Sequence, residues 1–349
     1  MSLQSKKTRM IITAIVIAII LIGLGSYAYF TMQTTSKQHL IVSTTTSLYE
    51  TGLLDILKVE FEKQYPSINV SFISQGTGLA IQTAMRGDAD MILVHDPARE
   101  LKFLEEGYGV NRKVVAYNFF VIAGPSDDPA NVKGLFPKEA FTKIKEAGEK
   151  NSAVWVSRGD DSGTHSKEKR IWKAAGFDST DLRTMNWYLE AGTGMTATLR
   201  LTDEKNGYTL VDLGSYLNNY ANGNIKLEII VDAGKDTLNV YSVIANNPRK
   251  TEVSGSNFAS MKFIDFLVSD GVQQILADFG KDKFGKPLFN PYVKLLQTGD
   301  KPELIQWIQD LAYFDGTECP TQYRYQADHL YQIIHIELIV SPIEVYFQH

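Results

Sequence analysis

The sequence SRGDDSGT, residues 157–164, follows an apolar strand pattern and leads into a helix pattern. Three other junctions place Ser, Thr and Gly in the same position before a predicted helix: Thr44-Thr45-Thr46-Ser47, Gln75-Gly76-Thr77-Gly78 and Gly192-Thr193-Gly194. The start of a helix offers unpaired backbone N–H groups and the positive end of the helix dipole. Small hydroxyl residues and glycines let an anion approach these groups closely. The junctions therefore predict a site that captures a small oxyanion with neutral donors, with Arg158 as its cation.

The order of the apolar segments predicts an α/β fold. Strand patterns at 40–43, 68–73 and 91–94 alternate with helix patterns, which is typical of a parallel sheet with right-handed crossovers. A second α/β set lies between two long apolar runs at 114–123 and 238–245. The sequence therefore predicts one lobe that is interrupted by another, and the two long runs carry the chain between them.

Crossings near residues 120 and 240 set the predicted boundaries. These are a stub, membrane segment and linker at 1–36, lobe 1 at 37–120 and 240–315, lobe 2 at 121–239, and a tail at 316–349. For the tail, a helix, a strand and disorder all remain open. Ligands of open α/β sheets bind at the carboxyl ends of the strands, so we expect the site between the lobes.

The predicted site combines hydroxyl groups, glycine backbone and one guanidinium. Its residues are Thr45, Thr46, Ser47, Thr77, Gly78, Arg158, Ser162, Gly163, Thr164, Thr193 and Gly194. Simpler interpretations stay open for several of them. Arg158 is alternatively a surface residue paired with Asp160 or Asp161, and Ser162 is alternatively only a helix cap. The same alternative applies to Thr45, Thr46 and Ser47, and the Gly-Thr-Gly run at 192–194 is alternatively a common loop.

Composition and motifs limit the function further. The formal net charge of −5 gives no general attraction to nucleic acid. The one cysteine, Cys319, rules out an intramolecular disulfide and a cysteine-rich metal site. His95 and Asp96 follow a strand without a third ligand at suitable spacing, so we predict loop residues and no metal site. Asp90 is expected to cap or support a strand end, and the alternative is that it accepts a hydrogen bond from a protonated anion. The sequence has no nucleophile elbow, Walker loop or dinucleotide fingerprint, so we predict neither an enzyme nor a cofactor.

The N-terminus carries a candidate membrane segment. Residues 10–30 contain no charged side chain, and about 20 apolar residues span a bilayer core. Lys6, Lys7 and Arg9 precede this stretch, which predicts a cytoplasmic N-terminus and an extracytoplasmic remainder. An uncleaved anchor is the preferred interpretation, and a cleaved signal peptide with a secreted or periplasmic product is the alternative.

The motifs taken together resemble those of the tungstate-binding proteins of ABC transporters. The resemblance covers about residues 40–300 and rests on the four junctions together with Gly52-Leu53-Leu54, Gly87-Asp88-Ala89-Asp90, His95-Asp96-Pro97, His165, Tyr188, Met195, Asn246 and Pro248. It implies a two-lobed periplasmic-binding-protein fold, type II with two crossovers, that closes on a tetrahedral oxyanion. The residues it implies near the ligand are Thr46, Ser47, Thr77, Arg158, Ser162 and Thr164, with Thr193 and Gly194 in addition.

The resemblance also implies a ligand, a partner protein and a set of competing anions. Tungstate, bound as an oxyanion, is the expected ligand, and an ABC permease is the expected partner of a monomeric protein. Molybdate is the alternative ligand closest to tungstate in chemistry, and phosphate and sulfate are less similar alternatives. An anion sensor or a phosphate-ester enzyme on the same fold is the alternative class of function.

Overall fold

The computed structural model describes residues 13, 16–22, 37–232, 234–251 and 257–331. It divides the chain into two compact units, Met1–Gln38 and His39–His349. In the first unit, residues 16–22 are helical. None of the helices within the described ranges is long and apolar enough to cross a membrane. The predicted anchor at 10–30 lies for the most part outside these ranges, and it stays a prediction.

The second unit alternates strands and helices. Its first part, up to the long strand β4, contains β1 (Gln38–Thr45), α1 (Thr46–Glu50), α2 (Leu53–Gln64), β2 (Ile68–Gln75), α3 (Thr77–Met85), β3 (Met91–Val94), α4 (Pro97–Glu105) and β4 (Gly109–Gly124). The middle part contains α5 (Pro137–Glu149), β5 (Trp155–Ser157), α6 (Gly163–Ala174), α7 (Ser179–Leu182), β6 (Tyr188–Glu190), α8 (Met195–Glu204), β7 (Thr209–Asp212), α9 (Leu213–Ala221) and β8 (Glu228–Val231).

The chain then returns to the first lobe. This last part contains β9 (Leu238–Asn246), α10 (Asn257–Leu267), α11 (Asp270–Asp278), α12 (Lys281–Phe284), β10 (Asn290–Pro291), α13 (Tyr292–Thr298) and α14 (Pro302–Ala312). Short 3-10 turns follow at Thr321–Tyr323 and Asp328–Tyr331.

The sheet of lobe 1 is mixed. Its strand order is β10-β4-β9-β3-β1-β2. Strands β1 and β3 are parallel, as the sequence predicts, but β9 pairs antiparallel with both β3 and β4. The expectation of a parallel sheet is therefore wrong for the sheet as a whole. The reason is that β4 leaves lobe 1 and β9 returns to it, so this pair runs in opposite directions at the centre of the sheet.

Strand β4 joins the two lobes. Up to Phe119 it pairs with β9, and from Phe120 onward it pairs antiparallel with β7 and β8 of lobe 2. Lobe 2 adds a parallel pair, β5 and β6, in which Trp155 lies opposite Tyr188. The two-lobed α/β fold predicted from the sequence is thus confirmed, and the carboxyl ends of β1, β5 and β7 face the region between the lobes with the loops that follow them.

Each lobe has its own core. In lobe 1, Phe61 packs edge-to-face on Phe263 with ring centroids 5.0 Å apart. In lobe 2, Phe141 packs on Trp155 and Trp172 at 4.6 and 4.4 Å. Aromatic pairs of this kind add roughly 0.5–1.5 kcal/mol beyond the area that they bury. Separate cores let the lobes move as bodies.

The start of the predicted tail packs on lobe 1. Glu318 accepts hydrogen bonds from Lys113 Nζ and from the backbone N–H of Val114, both at 2.9 Å. Arg112 donates to the carbonyl oxygens of Ala312 and Glu318 at 2.8 and 2.9 Å. Cys319 is fully buried in this contact. The segment 316–331 is therefore part of the lobe, and the remainder of the predicted tail lies outside the described residues.

Replacing Glu318 by Ala is expected to destabilise the protein. The substitution leaves the largely buried ammonium of Lys113 without its carboxylate, which typically costs about 3–5 kcal/mol. Urea denaturation measures the change. Asp278→Ala is the control, because the Asp278–Lys281 pair is half exposed and such pairs contribute at most about 1 kcal/mol. Equal effects of the two variants would contradict this account of the tail.

Candidate functional site

The predicted junctions lie at helix starts. Thr45 is the N-cap of α1, and its side chain accepts a hydrogen bond from Leu48 N at 3.4 Å. Ser162 is the N-cap of α6 and accepts from His165 N at 3.2 Å. Helices α3 and α8 have glycine N-caps without a side-chain hydrogen bond. Ser162 therefore does cap a helix, while the first N–H groups of α3 and α6 have no partner within their helices.

Arg158 is buried and only partly satisfied. It is 1% exposed, which excludes the surface interpretation, although it does pair with Asp160 through its Nε at 2.9 Å. Its Nη2 donates across the cleft to Thr46 Oγ1 at 2.5 Å. Its Nη1 is buried without a partner. One edge of the guanidinium thus holds the lobes together, and one donor remains available for a ligand.

Other buried donors nearby share this property. Thr77 Oγ1 in lobe 1 and Thr164 Oγ1 in lobe 2 have no hydrogen-bond partner. Buried polar atoms in folded proteins are nearly always paired, so each exception needs a cause. A ligand that accepts hydrogen bonds from Thr77, Thr164 and Arg158 Nη1 would explain why these donors have no partner within the protein.

Close backbone contacts bring two of the junctions together, 75–78 and 157–164. A Cβ placed on Gly163 would lie 3.1 Å from Thr77 Oγ1, and one placed on Gly76 would lie 3.3 Å from the carbonyl oxygen of Asp160. Gly78 N donates to the carbonyl oxygen of Asp161 at 3.4 Å. These glycines let the starts of α3 and α6 approach each other directly across the cleft.

The fourth junction has a different neighbourhood. Thr193 is exposed, and a Cβ on Gly194 would lie 3.4 Å from Glu50 Oε1 at the other end of α1. Thr196 donates to the same carboxylate at 3.0 Å. The structure thus places Thr193 and Gly194 at the mouth of the cleft, against lobe 1, and their role as ligand residues stays a prediction.

The lobes are closed on each other. Arg99 of α4 donates to the carbonyl oxygen of Asp161 at 2.9 Å and forms an ion pair with the carboxylate of the same residue. Lys235 pairs with Asp310 across the hinge side at 2.5 Å. Charged contacts therefore join the two lobes around a cleft whose interior donors are unpaired.

A buried carboxylate anchors the loop that carries Arg158. Glu168 of α6 accepts from Ser157 Oγ at 2.8 Å and from Tyr188 OH at 2.6 Å. It also accepts from the indole N–H groups of Trp155 and Trp172 at 2.9 and 3.2 Å. Burial raises the pKa of Glu168, and the four donors oppose this shift. Sequence reasoning missed this residue, although a glutamate between apolar positions of an amphipathic helix is a signal for it.

The structure also places three polar residues that the sequence analysis considered, Asp90, His95 and Asp96. Asp90 Oδ2 accepts from Ile41 N at 2.7 Å, which confirms its expected support of a strand end. Asp96 is buried and pairs with Arg99 and Arg170 at 3.4 Å. His95 lies in a loop as predicted, but it is 3% exposed, and desolvation lowers its pKa to about 4. In the portion of the chain that the structure covers, His, Cys, Asp and Glu form no group of three suited to a metal ion.

Asp212 and Ser215 were not predicted. Asp212, at the end of β7, caps α9 by accepting from Ser215 N at 2.9 Å. Its Oδ2 and Ser215 Oγ are buried without partners. Burial raises the pKa of Asp212, and the nearby Arg158 lowers it. A buried acid with one unpaired oxygen therefore lies within electrostatic reach of the proposed cation.

Comparison with known proteins agrees with this geometry. A family model described as a PBP superfamily domain matches residues 31–271. A putative ABC transporter anion-binding protein of Haloferax volcanii is 42% identical over 289 residues, which cover 81% of this chain and 79% of that protein. The tungstate-binding protein TupA of Peptoclostridium acidaminophilum is 38% identical over 259 residues, covering 74% and 87%.

Solved structures of tungstate-binding proteins are also similar to this chain. TupA from Desulfovibrio alaskensis G20 is 38% identical, with a TM-score of 0.62, over 73% of this chain and 98% of that chain. A protein of Geobacter sulfurreducens described as the tungstate ABC transporter is 39% identical, with a TM-score of 0.61, over 70% and 100%. Identity at this level over most of each chain shows common descent, and the chain belongs to the periplasmic-binding-protein superfamily and, within it, to the family of the tungstate-binding proteins.

Proposed function

We propose that the protein captures tungstate, as an oxyanion, between its lobes and delivers it to the permease of an ABC transporter. The observation that carries this proposal is the set of buried donors without partners, Arg158 Nη1, Thr77 Oγ1 and Thr164 Oγ1. The names of the related proteins support tungstate as the ligand and capture rather than turnover.

The donor set suits a tetrahedral dianion. Every oxygen of tungstate accepts hydrogen bonds and none donates, so hydroxyl groups, helix N–H groups and a guanidinium are complementary to it. Arg158 is already paired with Asp160. The site therefore supplies oriented dipoles in addition to a single, partly neutralised charge. Molybdate has the same charge and shape, so we expect it to compete.

Closure follows from the division of donors between the lobes. Thr77 lies in lobe 1, and Arg158 and Thr164 lie in lobe 2. An anion satisfies all of them only when the lobes meet, so it binds the closed state more tightly and shifts the population toward it.

The proposal includes the location of the protein in the cell. Delivery to a permease requires that the lobes lie outside the cytoplasm. An N-terminal segment at 10–30 that anchors the chain to the membrane would hold them near that permease, and the positive charges before this segment support the orientation.

Tungstate is expected to bind tightly, with one ion per chain and no turnover. Titration calorimetry of protein freed of anions, with tungstate, molybdate, sulfate and phosphate in parallel, measures the affinities. Assays with phosphate esters test the alternative enzyme. Phosphate binding without tungstate binding, or turnover of an ester, would refute the proposal.

Arg158→Ala is expected to weaken tungstate binding more than any single Ser or Thr substitution. Removing one partner of a buried, charge-assisted contact costs on the order of 2–5 kcal/mol, which corresponds to roughly thirtyfold or more in Kd. Calorimetry measures the loss, and circular dichroism checks the fold. Arg200→Ala is the control, because Arg200 is exposed on the same lobe and bonds only to Asn224 among the contacts seen. An Arg158→Ala affinity within about threefold of wild type would place Arg158 outside the site.

Arg99→Ala is expected to speed tungstate release. The variant loses the bonds from Arg99 to Asp161 that join the two lobes, and a hydrogen bond to a charged group contributes about 1.5–3 kcal/mol. Solvent exposure of Asp161 reduces this, so we expect a dissociation rate about tenfold higher. Stopped-flow fluorescence measures the rate. Arg86→Ala, which removes an Arg–Asp pair within lobe 1, is the matched control, and equal rates in the two variants would argue against a role in closure.

A further inference from the structure

His95 lies between the two helix starts that carry the proposed donors. A Cβ placed on Gly163 of lobe 2 would lie 2.7 Å from His95 Cε1. The same point is 3.1 Å from Oγ1 of Thr77 in lobe 1. The imidazole thus lines the closed cleft where the two lobes meet.

A chain of hydrogen bonds fixes which ring nitrogen carries the proton. The carbonyl oxygen of Leu288 accepts from Asn118 Nδ2 at 3.3 Å, which orients the Asn118 amide. Asn118 Oδ1 then accepts from Asn239 Nδ2 at 2.9 Å, so Asn239 Oδ1 is directed at His95 Nδ1, 2.9 Å away. A backbone carbonyl can only accept, so the direction of the whole chain is set. His95 therefore donates through Nδ1–H.

The other nitrogen is left as an acceptor. In the neutral ring Nε2 has a lone pair, and this atom is buried without a partner. The ring lies beside Thr77 Oγ1, because both are within about 3 Å of the same point on Gly163, and Arg158 is close enough to lower the pKa of the ring. Thr77 Oγ1 and Arg158 Nη1 are donors that also have no partner. A lone pair that faces a dianion is repulsive, whereas a proton on Nε2 converts the contact into a charge-assisted hydrogen bond.

On the basis of the proposed function, we infer that capture of the oxyanion takes up one proton from solvent, which is held between His95 Nε2 and an oxygen of the anion. No bond is broken in this step. The proton makes His95 a ligand residue and a determinant of specificity. Sulfate oxygens are much weaker bases than tungstate oxygens, so they accept this hydrogen bond less well.

The charges around His95 oppose each other in the closed cleft without ligand. Asp96, next in the chain, favours the protonated ring, while Arg158 and Arg170 of lobe 2 disfavour it. Tyr241 of β9 packs on the ring in a tilted orientation, with ring centroids 5.0 Å apart. Burial and Asp212 raise the pKa of Tyr241, so it contributes no charge. Desolvation dominates, and the ring is neutral at physiological pH. A dianion adds negative charge beside the ring and reverses this balance.

The sign of the pH dependence follows. In the closed cleft without ligand, burial lowers the pKa of His95 to about 4, and the anion raises this pKa in the complex. Between these two pKa values binding takes up a proton, so the affinity falls as pH rises, by at most about tenfold per pH unit. Above the pKa of the complex the affinity no longer depends on this group.

Calorimetry in two buffers tests the inference. Tungstate at micromolar concentration is titrated into the wild-type protein at pH 6.5 in MES and in bis-Tris, which differ in ionisation enthalpy. The difference between the observed enthalpies gives the number of protons taken up, and we expect a value approaching about one. Binding without proton uptake overturns the inference and leaves the proposed function intact, whereas absence of binding refutes the proposed function itself.

Variants assign the proton. His95→Gln offers an amide donor near the position of Nε2, so we expect tungstate binding with no uptake and a flat pH profile. Asp212→Asn tests another buried acceptor without a hydrogen-bond partner, Asp212 Oδ2, and should retain the uptake. His329→Gln, at an exposed histidine of lobe 1, is the control and should behave as wild type. Uptake that persists in His95→Gln, or that disappears in Asp212→Asn, overturns the assignment to His95.

Nitrogen NMR gives a readout that a purely structural role would not change. In protein labelled with ¹⁵N-histidine, Nε2 of His95 should have the shift of an unprotonated nitrogen without ligand and that of a protonated nitrogen with tungstate. An unprotonated Nε2 in the complex, together with zero uptake, would overturn the inference even if His95→Gln binds weakly.

Discussion

The burial of one guanidinium constrains the whole site. A charge in a closed cleft is costly unless it is paired and hydrogen-bonded, and Arg158 satisfies this condition with contacts from both lobes, Asp160 in its own loop and Thr46 across the cleft. The consequence is electrostatic. With Asp160 as its partner, Arg158 brings little net charge to the ligand. A dianion therefore has to be stabilised by oriented neutral donors, and the arrangement of helix starts and hydroxyl groups follows from that need.

The rigidity of the donor loop depends on a second buried charge. Glu168 joins β5, β6 and α6 through four donors, so the loop that begins after Ser157 leaves from a fixed point. The contacts that close the cleft differ in kind. Arg99 and Asp161 remain partly exposed, and pairs of this type are individually weak. The contacts inside lobe 2 are thus buried and strong, whereas the charged contacts between the lobes are partly exposed and weak. This combination suits a protein that closes when its ligand binds.

Local patterns in the sequence were sufficient to predict the loops and the lobes. Apolar strands followed by Ser, Thr and Gly indicate helix starts, and the signal lies within a few residues. The direction of β9 could not be read in this way, because it depends on where a strand returns after lobe 2. His95 looked unremarkable for the same reason, since the residues that fix its proton, Asn118 and Asn239, are distant in sequence. The docking of the segment after Gly316 depends on Arg112 and Lys113, about two hundred residues earlier.

The docking of that segment also has a chemical effect. Cys319 is the only cysteine of the chain, and its thiol is sealed against lobe 1. An exposed single thiol in an oxidising compartment would be open to sulfenic acid formation or to a disulfide with a second copy. Burial raises the pKa of Cys319 and thereby keeps it in the unreactive thiol form. The same contacts that complete the lobe thus protect the thiol from oxidation and from disulfide formation with a second copy.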